Sequence, residues 1–125
     1  MILDTNAISA FADDVPSAVA MIGGAEQISI PVIVLGEFAY GIAQSSKRKY
    51  YEIWLEQLLT GCHVLDITWN TAKSYARIRS ELRQHGKPIP ANDVWIAALS
   101  REHNVSVMSR DAHFDHVKGL RRVGW

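Results

Sequence analysis

A chain of 125 residues with nearly half its side chains apolar (48%) can bury a core, which excludes a disordered tail and leaves room for one domain rather than two. A lone cysteine, Cys62, excludes an internal disulfide and any multi-cysteine zinc site, and suits a reducing, cytoplasmic setting. Net charge is zero, but residues 1–46 hold five acids and no Lys or Arg, while residues 47–125 hold all thirteen basic residues against eight acids. Divalent metal bound by some of those acids would leave a net positive working surface, as a phosphate-bearing partner requires.

Taken in order, the apolar run from Met1 to Asp4 predicts a first strand, with Thr5 or Asn6 capping a short helix over Ala7 to Ala12. Asp13-Asp14-Val15-Pro16 breaks the chain, and Ser17 to Ile22 predicts a second short helix stopped by Gly23-Gly24. Ile28 to Ile30 is a strand ended by Pro31. Val34 to Ser45 has helical spacing, with Leu35, Phe38 and Ile42 on one face and Glu37 in its first turn. Gly41 weakens that helix by roughly 1 kcal/mol relative to Ala, and close packing is the expected reason for it. Lys47 to Leu59 completes a helical hairpin. Its Tyr50, Tyr51, Trp54 and Leu59 offer more apolar surface than one face holds, and the surplus suits a partner or dimer contact.

Cys62 to Ile67 predicts a strand, edge or central, and Trp69 to Gln84 a long amphipathic helix. Its expected apolar stripe is Trp69, Ala72, Tyr75, Ala76 and Leu82. The stretch from Pro88 to Asp115 then reads as loop, helix, buried strand (Val105 to Met108) and acidic loop. Leu120 to Val123 is a closing strand. The most apolar window, Ile28 to Ala43, is interrupted by Pro31, Gly36, Glu37 and Gly41, so no membrane span is expected, and the strand-like start at Met1 gives no expectation of a signal peptide. Strands alternating with helices predict an α/β domain with a mainly parallel sheet over residues 1–125.

In such a sheet ligands bind beyond the carboxyl ends of the strands. Asp4 and Asp111 each follow an apolar run, while Glu37 and Asp93 sit near helix starts. Gathered together, four carboxylates repel unless a cation is present, and Mg²⁺ or Mn²⁺ prefers carboxylate oxygen and water, at about 2.1 Å for Mg²⁺. One or two such ions, about 3.5–4 Å apart if two, would clamp a phosphodiester. No pair of histidines has a zincin-like spacing. Thr5 and Ser109 stand where a hydroxyl can orient a carboxylate, and Asp115 follows Asp111 by four residues. His113 and His116 read first as loop residues, with phosphate contact the alternative. Arg77, Arg79, Arg83, Lys87 and Arg110 read either as a solvated face or as a track for an RNA backbone. The plainer alternative for each acid is a helix cap or a surface charge.

The segments MILDTN, PVIVLGEFAYG, PIPANDVWIAA and SRDAHFDHVKGLRRVGW resemble, in order and over nearly the whole chain, the four motif blocks of PIN-domain ribonucleases, most closely the VapC toxins of toxin–antitoxin pairs. Val94 replaces a larger aliphatic residue of many relatives, and Ser109 stands where Thr is commoner. The resemblance implies a Rossmann-like, three-layer PIN fold and Mg²⁺- or Mn²⁺-dependent RNA hydrolysis leaving 5′-phosphate and 3′-hydroxyl ends. It also implies homodimerisation and inhibition by a VapB-like antitoxin. Carried over by motif, Asp4 and Asp93 are the principal metal ligands, Glu37 and Asp111 complete the quartet, and Asp115 is a possible fifth. The rival from another class is a receiver-like phospho-signalling domain, with Asp13-Asp14, Asp66 and Lys118 as its acids and lysine. It leaves Asp4, Glu37, Asp93 and Asp111 without roles. A PIN-like RNA-binding module without catalysis is the third reading, against which the intact quartet counsels.

Overall fold

The computed structural model describes residues 1–125. Five short parallel strands are ordered β3-β2-β1-β4-β5. They are β1 (Ile2–Leu3), β2 (Ser29–Pro31), β3 (His63–Leu65), β4 (Val107–Met108) and β5 (Arg122–Val123). Helices α1 (Thr5–Ala12), α2 (Pro16–Gly23), α3 (Val32–Ala43), α4 (Arg48–Leu59), α5 (Trp69–Gln84) and α6 (Ala91–His103) flank the sheet. The arrangement is the three-layer α/β fold expected. Ile2 pairs with Ser29 on one side and with Val107 on the other. Strand order therefore reverses at β1, so a crevice opens between β1 and β4 at their carboxyl ends.

Burial explains why these segments settle here. β1 and β4 are wholly buried, as central strands covered on both faces must be. In α6, Val94, Ile96, Ala97, Ala98, Leu99 and Ser100 are all buried, and the small Ala97-Ala98 pair lets the helix lie close to its neighbours. Asn104 ends α6 in the left-handed conformation at φ 54°, which asparagine tolerates. Twenty-three buried apolar residues form one cluster, including Ile2, Leu3, Ile30, Ile96, Leu99 and Phe114. No helix is long and apolar enough to cross a membrane.

Several local expectations are corrected. α3 begins at Val32, directly after Pro31, which serves as both strand end and helix cap. Glu37 therefore lies in the second turn. α1 begins at Thr5, and its cap is Asp4, whose Oδ1 accepts from the Thr5 amide. Trp69 opens α5 with 74% of its surface exposed, and Ala76 is also exposed; Thr71, Ile78 and Leu82 are the residues α5 buries. A side chain added at Gly41 would meet nothing within 4 Å, so close packing is not its reason. β3 is an edge strand, with His63 and Val64 exposed.

Truncating a fully buried α6 side chain should remove both transfer energy and packing. We expect Ile96→Ala to cost about 2–5 kcal/mol in urea unfolding, in one transition if residues 1–125 are one folding unit. Tyr40→Ala, at a site 74% exposed, should stay within about 0.5 kcal/mol.

Candidate metal centre

Asp4 leaves β1 in an extended conformation and begins α1, which puts its carboxylate at the mouth of the crevice. It is only 5% exposed and is fully engaged by neutral donors. The Thr5 amide donates to Oδ1 at 2.8 Å, while the Ser109 hydroxyl donates to Oδ2 at 2.7 Å and the Asn6 amide nitrogen at 3.0 Å. Ser109, just past β4 and fully buried, also accepts from the Asp111 amide at 2.9 Å. One hydroxyl thus links the ends of β1 and β4. Asn6 strengthens the link by donating to Ser109 Oγ at 3.2 Å and accepting from the Arg110 amide at 3.2 Å.

Glu37 enters from α3. Its Oε2 accepts from the Thr5 hydroxyl at 2.6 Å, and its Oε1 accepts from the Asn92 side chain of α6. Asp93 is the third residue of α6, where a carboxylate complements the helix dipole. Asp111 caps the 3-10 turn Ala112–His116, accepting from the His113 amide at 3.0 Å. Ligand atoms of Asp93, Asp111 and His113 all lie within 4.8 Å of one another. The His113 Nδ1 stands 3.1 Å from Asp93 and 3.0 Å from Asp111. Asp4 and Glu37 adjoin this group rather than belong to it.

The electrostatics follow from this geometry. Burial pushes the Asp4 carboxyl above the ordinary aspartate range. Bonds from Ser109 and Thr5 oppose the shift, while Glu37 and Asp111 add to it by repulsion. Burial also raises Asp93; the His113 bond opposes the shift, and Asp4 and Asp111 reinforce it. His113 is raised chiefly by its bond to Asp93, as a cation-in-waiting between two carboxylates should be. No Lys or Arg forms an ion pair with Asp4, Glu37, Asp93 or Asp111. An oxygen-rich donor set, short of positive charge and braced by neutral hydrogen bonds, fits a hard divalent ion. Asp4, Asp93, Asp111 and Glu37 are the residues that would hold it.

The structure brings together all four expected acids, with Thr5 and Ser109 beside them as orienting hydroxyls. Asp115 stands apart, held by Arg122 through two bonds of 2.8 Å each, with its carboxyl pulled below the usual range by that guanidinium. Three participants escape sequence reasoning. Asn92 directly precedes Asp93 and Asn6 lies two residues after Asp4, each within a motif block, and that closeness in sequence is the available signal. His113 reads in sequence as a loop residue, because a histidine two positions after an aspartate carries no distinctive spacing. The acids of the receiver-like rival do not gather. Asp13 lies at the end of α1 and accepts from Tyr51, and Asp66 follows the edge strand.

Comparison with known proteins agrees with this architecture. Ribonuclease VapC2 of Rickettsia felis is 27% identical over 98% of this chain and 96% of its own length. Toxin FitB of Neisseria gonorrhoeae is 31% identical over 89% of this chain and 87% of its own. The crystal structure of VapBC2 from Rickettsia felis, bound to a DNA fragment from its promoter, superposes with a TM-score of 0.87 at 26% identity, covering 99% of this chain and 97% of that one. The PIN domain family profile matches residues 1–120, and the chain belongs to the PIN domain family.

Proposed function

We propose that this protein is a divalent-metal-dependent endoribonuclease, the toxin of a toxin–antitoxin pair, with Asp4, Glu37, Asp93 and Asp111 as its metal-holding residues. The observation that carries the reading is a cup of four acids at the topological switch point with no Lys or Arg paired to it and His113 as its one titratable partner. Likeness to a ribonuclease and a toxin, nearly end to end, supports the same reading.

The reaction is hydrolysis of an RNA phosphodiester. A water oxygen bonds to phosphorus as the bond to the 3′ oxygen breaks, leaving 5′-phosphate and 3′-hydroxyl ends. Bound Mg²⁺ or Mn²⁺ supplies charge neutralisation for the phosphate and acidifies water. The chain's own part is preorganisation. Ser109, Asn6 and the Thr5 amide fix both oxygens of Asp4, and Thr5 and Asn92 fix Glu37 between α1 and α6. His113 bridges Asp93 and Asp111, with its Nδ1 3.1 and 3.0 Å from their carboxylates. A catalytically silent RNA-binding module would need none of this bracing.

The same cup suits inhibition. A guanidinium from an antitoxin would replace His113 as counter-charge and bind carboxylates bidentately. The α3–α4 hairpin offers the apolar ground for its helix or for a second copy of this chain. No residue of α4 is buried, and Tyr40, Tyr50 and Ile53 are 74%, 58% and 60% exposed. A homodimer burying part of this face, with antitoxin on the rest, is the assembly this reading takes.

Three outcomes check it. Asp93→Asn should abolish cleavage of cellular RNA while leaving the circular dichroism spectrum unchanged, and excess chelator should silence the native protein. Activity surviving either treatment contradicts a metal-dependent nuclease. Asp4, Asp93 and His113 all have raised pKa values, so the metal-free fold binds protons that the unfolded chain has lost. Their contribution is present at acid pH and is lost as pH rises through the raised values. Mn²⁺ should therefore raise Tm clearly at pH 7.5, and by much less at pH 5, where protons compete for the same oxygens. Finally, replacing Tyr40, Tyr50 and Ile53 together by Ser should weaken antitoxin capture or dimerisation at least tenfold; both unchanged would remove the hairpin from the assembly.

A further inference from the structure

The four acids create a problem for a nuclease: without metal, the reaction centre repels the polyanion it must bind. Affinity has to come from elsewhere on the surface, from groups whose charge nothing internal consumes. Residues 73–90 hold Lys73, Arg77, Arg79, Arg83 and Lys87 against a single acid, Glu81. That acid is already taken, receiving two bonds from Arg101 at 3.2 and 3.1 Å. None of the five cations forms an ion pair with a carboxylate. Arg79 donates to the Tyr75 hydroxyl at 2.6 Å, with its guanidinium carbon 5.8 Å from the centre of that ring, so its partner on the helix is neutral and leaves its charge unpaired.

Two of these cations border a concavity. A cleft of about 490 Å³ at the turn between α5 and α6 is lined by Arg79, Leu82, Arg83, Pro88, Ile89 and Val94. Its floor is apolar, formed by buried Leu82 and Val94 with half-buried Ile89, and its rim carries two guanidinium groups. Pro88-Ile89-Pro90 runs from this cleft into the first turn of α6, where Asn92 and Asp93 belong to the acid cup. The cleft and the cup thus share one helix end. Val94 floors the first beside Asp93 of the second.

We propose that this cleft is a substrate subsite that takes a nucleotide of single-stranded RNA flanking the scissile phosphate. A backbone phosphate sits against Arg79 and Arg83, with Lys87 adding long-range attraction, and the face of an unpaired base lies on Pro88 and Ile89. Guanidinium forks match phosphate oxygens, and an unpaired base presents the flat apolar face that such a floor accommodates. Double-stranded RNA offers the phosphate but hides the base, so the subsite favours single strands. This assignment rests on the nuclease reading and adds to it the place where the substrate is gripped.

Binding separates the two ideas, because the subsite works without metal. Anisotropy of a fluorescein-labelled, unstructured RNA 12-mer is titrated with the full-length protein in EDTA, over a series of salt concentrations. Arg83→Ala should weaken binding about fivefold and Arg83→Ala with Lys87→Ala about twentyfold, while Arg83→Lys retains most of the affinity. The slope of log K against log salt should become shallower by roughly 0.7 for each phosphate that the variant no longer neutralises. Arg48→Ala, on α4 and already paired with Glu52, should change nothing. In Mg²⁺ the Arg83 variants should show raised KM with kcat within twofold. If the native protein binds RNA and the double variant matches it in affinity and slope, the subsite is overturned with the nuclease reading intact. If the native protein neither binds nor cuts RNA, the nuclease reading falls and the subsite with it.

Discussion

Repulsion among carboxylates is the constraint around which this molecule is arranged. Asp4, Glu37, Asp93 and Asp111 come from four distant stretches, and each brings negative charge to the same crevice between β1 and β4. Such a gathering is unfavourable by itself, and burial, with repulsion from the neighbouring acids adding to it, raises the proton affinity of Asp4 and Asp93. What makes it tolerable is a shell of neutral donors, from Thr5, Asn6, Asn92 and Ser109, together with one titratable ring, His113. The rest of the fold serves this arrangement. Buried β1 and β4 fix the spacing of Asp4 and Ser109, and the close-packed α6 fixes Asp93 in its first turn.

The bracing is economical because single residues act twice. Ser109 donates to Asp4 and accepts from the Asp111 amide, so one hydroxyl sets two acids. Thr5 gives its amide to Asp4 and its hydroxyl to Glu37. In consequence β1, α3 and the segment after β4 are coupled through hydrogen bonds rather than only through the hydrophobic cluster beneath them. No Lys or Arg pairs with the four acids, while five of the thirteen basic residues lie on α5 and the turn after it. Under the proposed reading, an acid cup for a cation and a basic flank for phosphate lie on separate parts of one chain whose net charge is zero.

Much of this is legible in the amino-acid order. Apolar runs of strand length followed by acids, as at Ile2-Leu3-Asp4 and Val107 to Asp111, place carboxylates at strand ends once a parallel sheet is assumed. Alternation of strands and helices makes that assumption sound. Helix α6 is equally readable, because its apolar positions and its acid at the start agree. What sequence reasoning misses, it misses for physical reasons. Val32 and Ile33 are β-branched and extend the strand pattern, yet Pro31 turns the chain directly into α3 and moves Glu37 one turn inward. Trp69 matches the stripe of α5, but a first-turn residue beyond the sheet edge has nothing to pack on. His113 and the two asparagines act through tertiary hydrogen bonds, which leave no periodicity. Asp115 fits the acid set by spacing, and Arg122 claims it instead.

The central claim, that the acid cup is built for a divalent ion, is tested most directly by an anomalous difference map from crystals grown with Mn²⁺. The account predicts a peak bounded by Asp4, Asp93 and Asp111, with the His113 ring withdrawn from its place between the two aspartates. A map without density there, and with His113 still bonded to Asp93 and Asp111, would contradict it.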